Sequence, residues 1–305
     1  MESKKINVGG QAIIEGVMIR GPSRYVIAVR KKTKIISKEG KIRKKPPIFR
    51  LPFIRGFVNL AEMLAIGIKA LMWSAEQASP KEEKMGKHEF AMSFLISIGA
   101  VILVFIALPY FLTNLAGFYE EKNPIMFNII DGAIRISLFL IYIAAISFMK
   151  DVKILFQYHG AEHKAIHCYE DGKKLGVAQV KKFTTLHPRC GTSFLLIVFI
   201  VSIFVFSLLP SVMTFYYPDF LNLNSWARKG ILFPVRILLI PIIAGISYEI
   251  LKISDKHQKN ILFKLVTLPG LALQKITTKE PNAKQIEVAI HSLKKLLALE
   301  TKNRK

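Results

Sequence analysis

The 305-residue chain has only two cysteines and two tryptophans. Two cysteines cannot make the disulfide framework of a small secreted domain, so Cys168 and Cys190 read as free thiols or metal ligands in a reducing compartment. Acidic residues are also scarce, 21 against 44 Lys plus Arg, for a formal charge of +23. The opening MESKKINVGGQ lacks the apolar core of a signal peptide. An apolar content of 51% excludes a disordered chain, which needs low hydrophobicity. A soluble nucleic-acid-binding domain can be this basic but seldom carries long apolar runs. The remaining simple class is a membrane protein.

A bilayer core takes about 20 mostly apolar residues in helix. Phe90 to Phe118 and Gly191 to Pro218 each approach or exceed that length without a charge, while Met126 to Met149 and Gly230 to Leu251 tolerate a few ionisable residues. The expectation is four transmembrane helices in a mostly α, polytopic membrane protein. Lys plus Arg number 19 in residues 1–89, eight in 150–190 and twelve in 252–305, against one and two in the loops around Glu120 to Lys122 and Asp219 to Lys229. Both termini and the central loop are therefore expected on the cytoplasmic side of the cell membrane. Topology and anionic lipid headgroups account for the positive surplus, with no nucleic acid expected.

The chain divides on this reading into a cytoplasmic β module (1–50), an interfacial amphipathic helix and linker (51–89), a membrane domain (90–252) with central loop 150–190, and cytoplasmic interfacial and amphipathic helices (253–305). In the first piece YVIAVRK and KIISKEGKIR alternate apolar and polar positions, with a hairpin expected near Lys38 to Lys41. From Pro52 to Ala78, Arg55, Glu62, Lys69 and Glu76 recur every seven residues as one charged stripe, which suits a helix in the headgroup plane or a polar seam against other helices. A fifth span there would invert the topology. FKLVTLPGLALQK looks interfacial, and TTKEP, with Pro281, suits the start of a C-terminal amphipathic helix whose apolar face docks on something.

Four of the seven histidines lie in the central loop, in YHGAEHKAIHCYE and HPRC. At 100° per residue, His159, His163, His167 and Glu170 share one narrow face of a helix, flanked by Glu162. His159 and His167 are about 12 Å apart along such a helix, too far for one ion. The pair His159 and His163 forms H-x-x-E-H, in which Glu162 stands as general base; the pair His163 and His167 leaves Glu162 as ligand or supporting group. His187 or Cys190 could supply further ligands. Three protein ligands make the open, catalytic form and four make the structural one, with zinc the favoured ion. The bland reading is a set of solvated or hydrogen-bonded histidines.

Ionisable groups within the spans need partners. Asp131 meets Arg135 at i+4 or Arg236 on the fourth span, and Glu249 falls at the cytoplasmic end of that span, as a further ligand, a carboxylate orienting one, or a partner of Lys252. VGGQAIIEGVMIRGP sets Gln11, Glu15 and Arg20 among glycines that permit close backbone approach, so it could fold over a site. It lacks nucleotide-loop spacings.

VGGQAIIEGVMIRGP, PFIRGFVNLAE, YHGAEHKAIHCYE, HPRCGTSFLL, ISYEI and PGLALQKITTKEPNAKQIEVAI together resemble the YqhQ-like family of bacterial membrane proteins, described only as predicted metal-dependent enzymes. The resemblance covers nearly the whole chain with its motifs in family order. It implies an integral membrane protein whose metal-site positions here are His159, Glu162, His163, His187 and Cys190. The expectation that follows is a membrane-embedded metalloprotein, with a hydrolase as the candidate activity, acting on a membrane-associated protein, peptide or lipid. A structural metal site in a membrane scaffold is the alternative. Transport is a weaker third class, because the spans offer few polar groups at midplane.

Overall fold

The computed structural model describes residues 5–78, 87–120, 122–257 and 260–302. Part of the linker expected before residue 89 lies outside them. Strands β1 (Gly9–Ile13), β2 (Gly16–Arg20), β3 (Arg24–Lys31) and β4 (Lys34–Lys41) form an antiparallel meander in sequence order. The expected alternation gives way in β3 to four consecutive buried residues, Val26–Val29, because helices cover both faces of the sheet. The hairpin expected near Lys38 to Lys41 is instead at Lys32 and Thr33, where Lys31 pairs with Lys34 and Lys32 has φ 55°. Gly40 remains in β4 opposite Tyr25, whose ring occupies the space a side chain there would need.

Helix α1 (Ile54–Ala78) covers one face, with Ile66 and Ala70 packed on Ile13, Met18, Ile27 and Val29. Its charged stripe is partly spent on ion pairs: Glu62 meets Arg20 and, at 3.0 Å, Lys45, while Arg55 forks onto Glu249. Leu64 and Ile68 on its outer side are exposed. Next comes a continuous helical run of α2 (Lys87–Ile102), a π turn at Leu103–Ala107 and α3 (Leu108–Leu115), followed by α4 (Pro124–Ile146). Helices α5 (Lys150–Glu170) and α6 (Val177–Val180) fill much of the central loop, before α7 (Gly191–Tyr216), α8 (Ser225–Lys256), α9 (Ile261–Thr277) and α10 (Ala283–Lys302).

Among the described residues, five helical segments, not four, are long and apolar enough to cross a membrane: Ile54–Ala78, Ala91–Leu115, Pro124–Ile146, Gly191–Tyr216 and Ala227–Ser254. The addition is α1, whose apolar character serves two surfaces, the sheet and the outside. Asp131 pairs with Arg135 at 2.8 Å, whereas Arg236 turns to Glu120 at 2.8 Å.

The amphipathic α10 docks on its own chain. Ile286, Ala289, Leu293 and Leu296 close a core with Val17, Ile19 and Val26 of the sheet and Ala161 and Ala165 of α5. Its start is Asn282, slightly later than the TTKEP signal suggested: Asn282 Oδ1 accepts from the Gln285 amide at 3.0 Å and Gln285 Oε1 accepts from the Asn282 amide at 2.9 Å, a reciprocal cap. Near its end, Glu300 accepts from the Ser23 and Arg24 amides, both at 2.8 Å.

Candidate metal centre

Helix α5 carries the histidines, and its small residues explain why it can sit so deep. Gly160 faces the Lys279 carbonyl so closely that a methyl group would collide with it. The helix ends at Gly172, whose φ of 74° suits the left-handed cap, and the chain returns along the ligand face. On this return path the Thr185 carbonyl reaches His163 Nδ1, and the Leu186 carbonyl accepts from His167 Nε2 at 2.8 Å. Gln274 of α9, fully buried, clamps the next residue: its Oε1 accepts from the His187 amide at 2.7 Å, and its Nε2 donates to the His187 carbonyl and to Ser193 Oγ, both at 2.9 Å.

Two trios of ligand-type side chains result. His159, His163 and Cys190 form one, and His167, Glu170 and His187 the other, each with its potential ligand atoms within 4.8 Å of one another. The four rings make one row, with centroid separations of 4.4 Å for His159 and His163, 5.5 Å for His163 and His187, and 4.5 Å for His187 and His167. His187, expected beside Cys190 in a single site, belongs to the second trio: three residues before Cys190 in an irregular loop, it lies one helical turn further along α5. Glu249, considered as a further ligand or orienting carboxylate, is at neither. Its carboxylate is held by Arg55, with Nε donating to Oε1 at 2.6 Å.

Hydrogen bonds distinguish the trios. His159 Nδ1 faces the Thr277 carbonyl at 2.9 Å and His163 Nδ1 faces that of Thr185, so both protons belong on Nδ1 and both Nε2 lone pairs are left for the site. His159 Nε2 lies 3.2 Å from Cys190 Sγ, and Glu162 Oε2 lies 3.5 Å from His163 Nε2. Backbone carbonyls on the far ring nitrogens are the arrangement that orients metal-ligating imidazoles. In the second trio His187 Nδ1 accepts from the Arg189 amide at 3.2 Å, so its proton sits on Nε2, which faces Glu170 at 3.4 Å; Glu170 also meets Arg189. That trio is internally hydrogen-bonded, and the first is the better donor set.

Burial sets the protonation states. Glu162 and His163 are 3% and 2% exposed. Desolvation pushes the Glu162 carboxyl up, against the pull of His159 and His187. Desolvation also lowers His163, and takes His167 down to about 4. Both shifts favour the neutral imidazole, the form that ligation requires. The sign of the resulting pH dependence follows. Between about pH 4 and 6.5 the unfolded chain protonates His167 while the folded chain leaves it neutral; the lowered His163 acts in the same direction and the raised Glu162 opposes it. For His167, unfolding takes up a proton in that window, so its contribution to stability falls as pH drops from 6.5 toward 4. Thermal melts of chelator-treated protein across that range are expected to show the decline, reduced in His167→Gln; a flat profile would contradict the assignment.

A pocket of about 360 Å³ opens over the first trio. It is lined by His159, Glu162, His163, His187 and Cys190, by Arg189 and Thr192, and by Val8 to Ala12. The Gly-rich N-terminal stretch does fold over the site: a Cβ on Gly10 would stand 2.9 Å from Glu162 Oε1 and 2.5 Å from the Met18 carbonyl. A larger cavity of about 520 Å³, lined by Tyr110, Glu120 and Phe220, has neither His nor Cys in its walls. Gln274 had escaped the motif reading, since 87 residues separate it from His187 and no spacing links them.

Residues 51–299 match the family described as a protein of unknown function, DUF1385. The protein named "Uncharacterized protein YqhQ" of Bacillus subtilis (strain 168) is 36% identical over 309 residues, covering 96% of this chain and 92% of that protein. No solved structure matches. With most of its length matched and the His/Glu/Cys motifs inside the matched region, the chain belongs to the DUF1385 family, alongside the YqhQ protein of B. subtilis.

Proposed function

We propose that this is a multi-pass membrane metalloprotein with a cytoplasmic-facing site at His159, His163 and Cys190, acting as a hydrolase on a membrane-associated substrate. The observation that carries the reading is the convergence of two Nε2 lone pairs, each fixed by a carbonyl behind it, and one sulfur beneath an open pocket. Two ligands of a tetrahedral zinc ion, one nitrogen and one sulfur, lie about 3.5 Å apart, close to the 3.2 Å between His159 Nε2 and Cys190 Sγ. Nitrogen with thiolate sulfur suits zinc among the divalent transition ions.

Four apolar helices crossing the bilayer, with α1 lying at the interface between sheet and lipid, keep both termini on the Lys- and Arg-rich side. The same side then holds the beginning of α7, the end of α8 and the candidate site. Membrane lipids are the expected surroundings, and nucleic acid has no part in the reading.

A bound zinc ion would supply Lewis acidity toward a carbonyl or ester oxygen. Glu162 is the general base: burial raises the proton affinity of its carboxylate, which favours taking a proton from water and returning it to the leaving group. His159 and His163 keep their Nδ1–H groups on the Thr277 and Thr185 carbonyls throughout. Glu162→Gln should retain the metal and lose at least about a hundredfold of hydrolytic turnover, the scale of a general base, on quenched peptides and phospholipids presented in liposomes. Full activity in that variant would sink the role. A structural ion is favoured by one observation, that the trio ties α5 to the start of α7; it predicts that Cys190→Ser loses abundance while Glu162→Gln changes nothing.

A further inference from the structure

β1 is an edge strand, paired on one side with β2 only. Its register assigns each backbone group a direction. Ile13 pairs with Gly16 across a two-residue turn, and the Arg30 amide donates to the Glu15 carbonyl at 2.8 Å on the other side of β2. Both facts place Gly9, Gln11 and Ile13 in the hydrogen-bonded positions of the β1 and β2 ladder. The N–H and C=O groups of Gly10 and Ala12 therefore point away from the sheet.

This stretch of β1 borders the pocket over the metal site. Side chains of neighbouring strand residues face opposite ways: Gln11 reaches Gly67 of α1 on one face, while Gly10 faces Glu162 of α5 on the other. The cavity nevertheless touches every residue from Val8 to Ala12, those of both faces, so it follows the backbone of β1 as well as the α5 side. Its lining also includes Cys190 and Thr192 at the start of α7. Among the described residues, no recorded backbone hydrogen bond outside the β1 and β2 ladder involves Gly10 or Ala12.

We infer that the outer edge of β1 is the docking line for an extended polypeptide, which adds as a fifth strand and carries its backbone across the His159, His163 and Cys190 site. An extended peptide offers alternating donors and acceptors at the spacing that Gly10 and Ala12 present, and strand addition of this kind takes affinity from the main chain while remaining tolerant of sequence. A phospholipid offers no such ladder. Gly10 fits the role because its missing side chain lets the strand lie against Glu162. The inference rests on the proposed metal site only for its consequence, that the bound segment is the one cleaved.

The test uses full-length protein in detergent and a degenerate mixture of fluorescein-labelled octapeptides, read by fluorescence anisotropy with metal content measured on the same samples. Wild-type protein is expected to bind the mixture, and a fully N-methylated twin mixture, stripped of its amide donors, at least tenfold more weakly. Ala12→Pro, which removes an outward N–H from an edge position where proline is tolerated, should weaken binding at least tenfold while leaving the metal in place. Equal binding of the two mixtures, or no binding by metal-loaded wild-type protein, overturns the inference whether or not Ala12→Pro folds. Peptide binding by protein that never holds a metal would sustain the docking edge and defeat the metal site instead.

Discussion

Replacing His159 and His163 together by alanine is expected to empty the protein of its transition ion, from about one equivalent per chain to less than about a tenth. The two side chains supply both nitrogen donors of the first trio, and Cys190 alone cannot retain a divalent ion against a chelator. Apolar replacement also removes the hydrogen bonds to the Thr277 and Thr185 carbonyls, which are then left without these partners. Zinc at a hundred times its Kd adds about 2.7 kcal/mol to the folded state, so wild-type protein should melt at a higher temperature in its presence and the double variant should not. Mass spectrometry of the purified proteins and paired melts check both halves. Equal metal content in the two proteins would contradict the site.

Gln274→Leu is expected to do two kinds of damage from outside the ligand set. Gln274 satisfies the amide and carbonyl of His187, a residue only 5% exposed, and bonds Ser193 Oγ as well. Leucine is similar in size but leaves these buried groups unpaired, at about 1–3 kcal/mol each before relaxation. A net loss of about 3 kcal/mol in stability is the expected scale. Because the clamped segment runs between the Thr185 carbonyl and Cys190, slackening it should also lower metal affinity by about tenfold to a hundredfold, as for other groups that orient ligands. Ser292→Ala provides the contrast: its hydroxyl bonds the Val26 carbonyl at 3.0 Å, far from the trio, so it should cost stability and leave metal affinity unchanged. Competition titrations with a chromophoric chelator separate the two effects. Unaltered affinity in Gln274→Leu would show that the clamp supports the fold alone.

The sequence announced what depends on local pattern. Charge-free runs mark α7 and the run from α2 through α3, and the spacing of His159, His163, His167 and Glu170 put them on one face of α5 before any fold was known. The misjudged features turn on partners distant in sequence. Lys38 to Lys41 has the look of a turn, yet eight-residue strands pairing from Arg24 to Lys41 hold it straight, with Tyr25 over Gly40. Glu249 lies near the C-terminal end of α8, but Arg55, 194 residues earlier in the chain, takes its carboxylate. The charged heptad of α1 fitted both a headgroup helix and a polar seam, and the folded chain shows features of both: ion pairs on the inner side and exposed leucine and isoleucine on the outer. His187 and Cys190 could not be divided between ligand sets from sequence, because an irregular loop has no fixed rise per residue. The clamp by Gln274 settles their register.

The ligand set itself is the central claim, and X-ray absorption at the zinc edge of the purified protein examines it most directly. The account predicts a four-coordinate ion with one sulfur at about 2.3 Å and the remaining nitrogen or oxygen neighbours at about 2.0–2.1 Å, with the sulfur contribution gone in Cys190→Ser. A protein purified without chelator that holds no transition metal, or a metal shell without sulfur in the wild type, would contradict it.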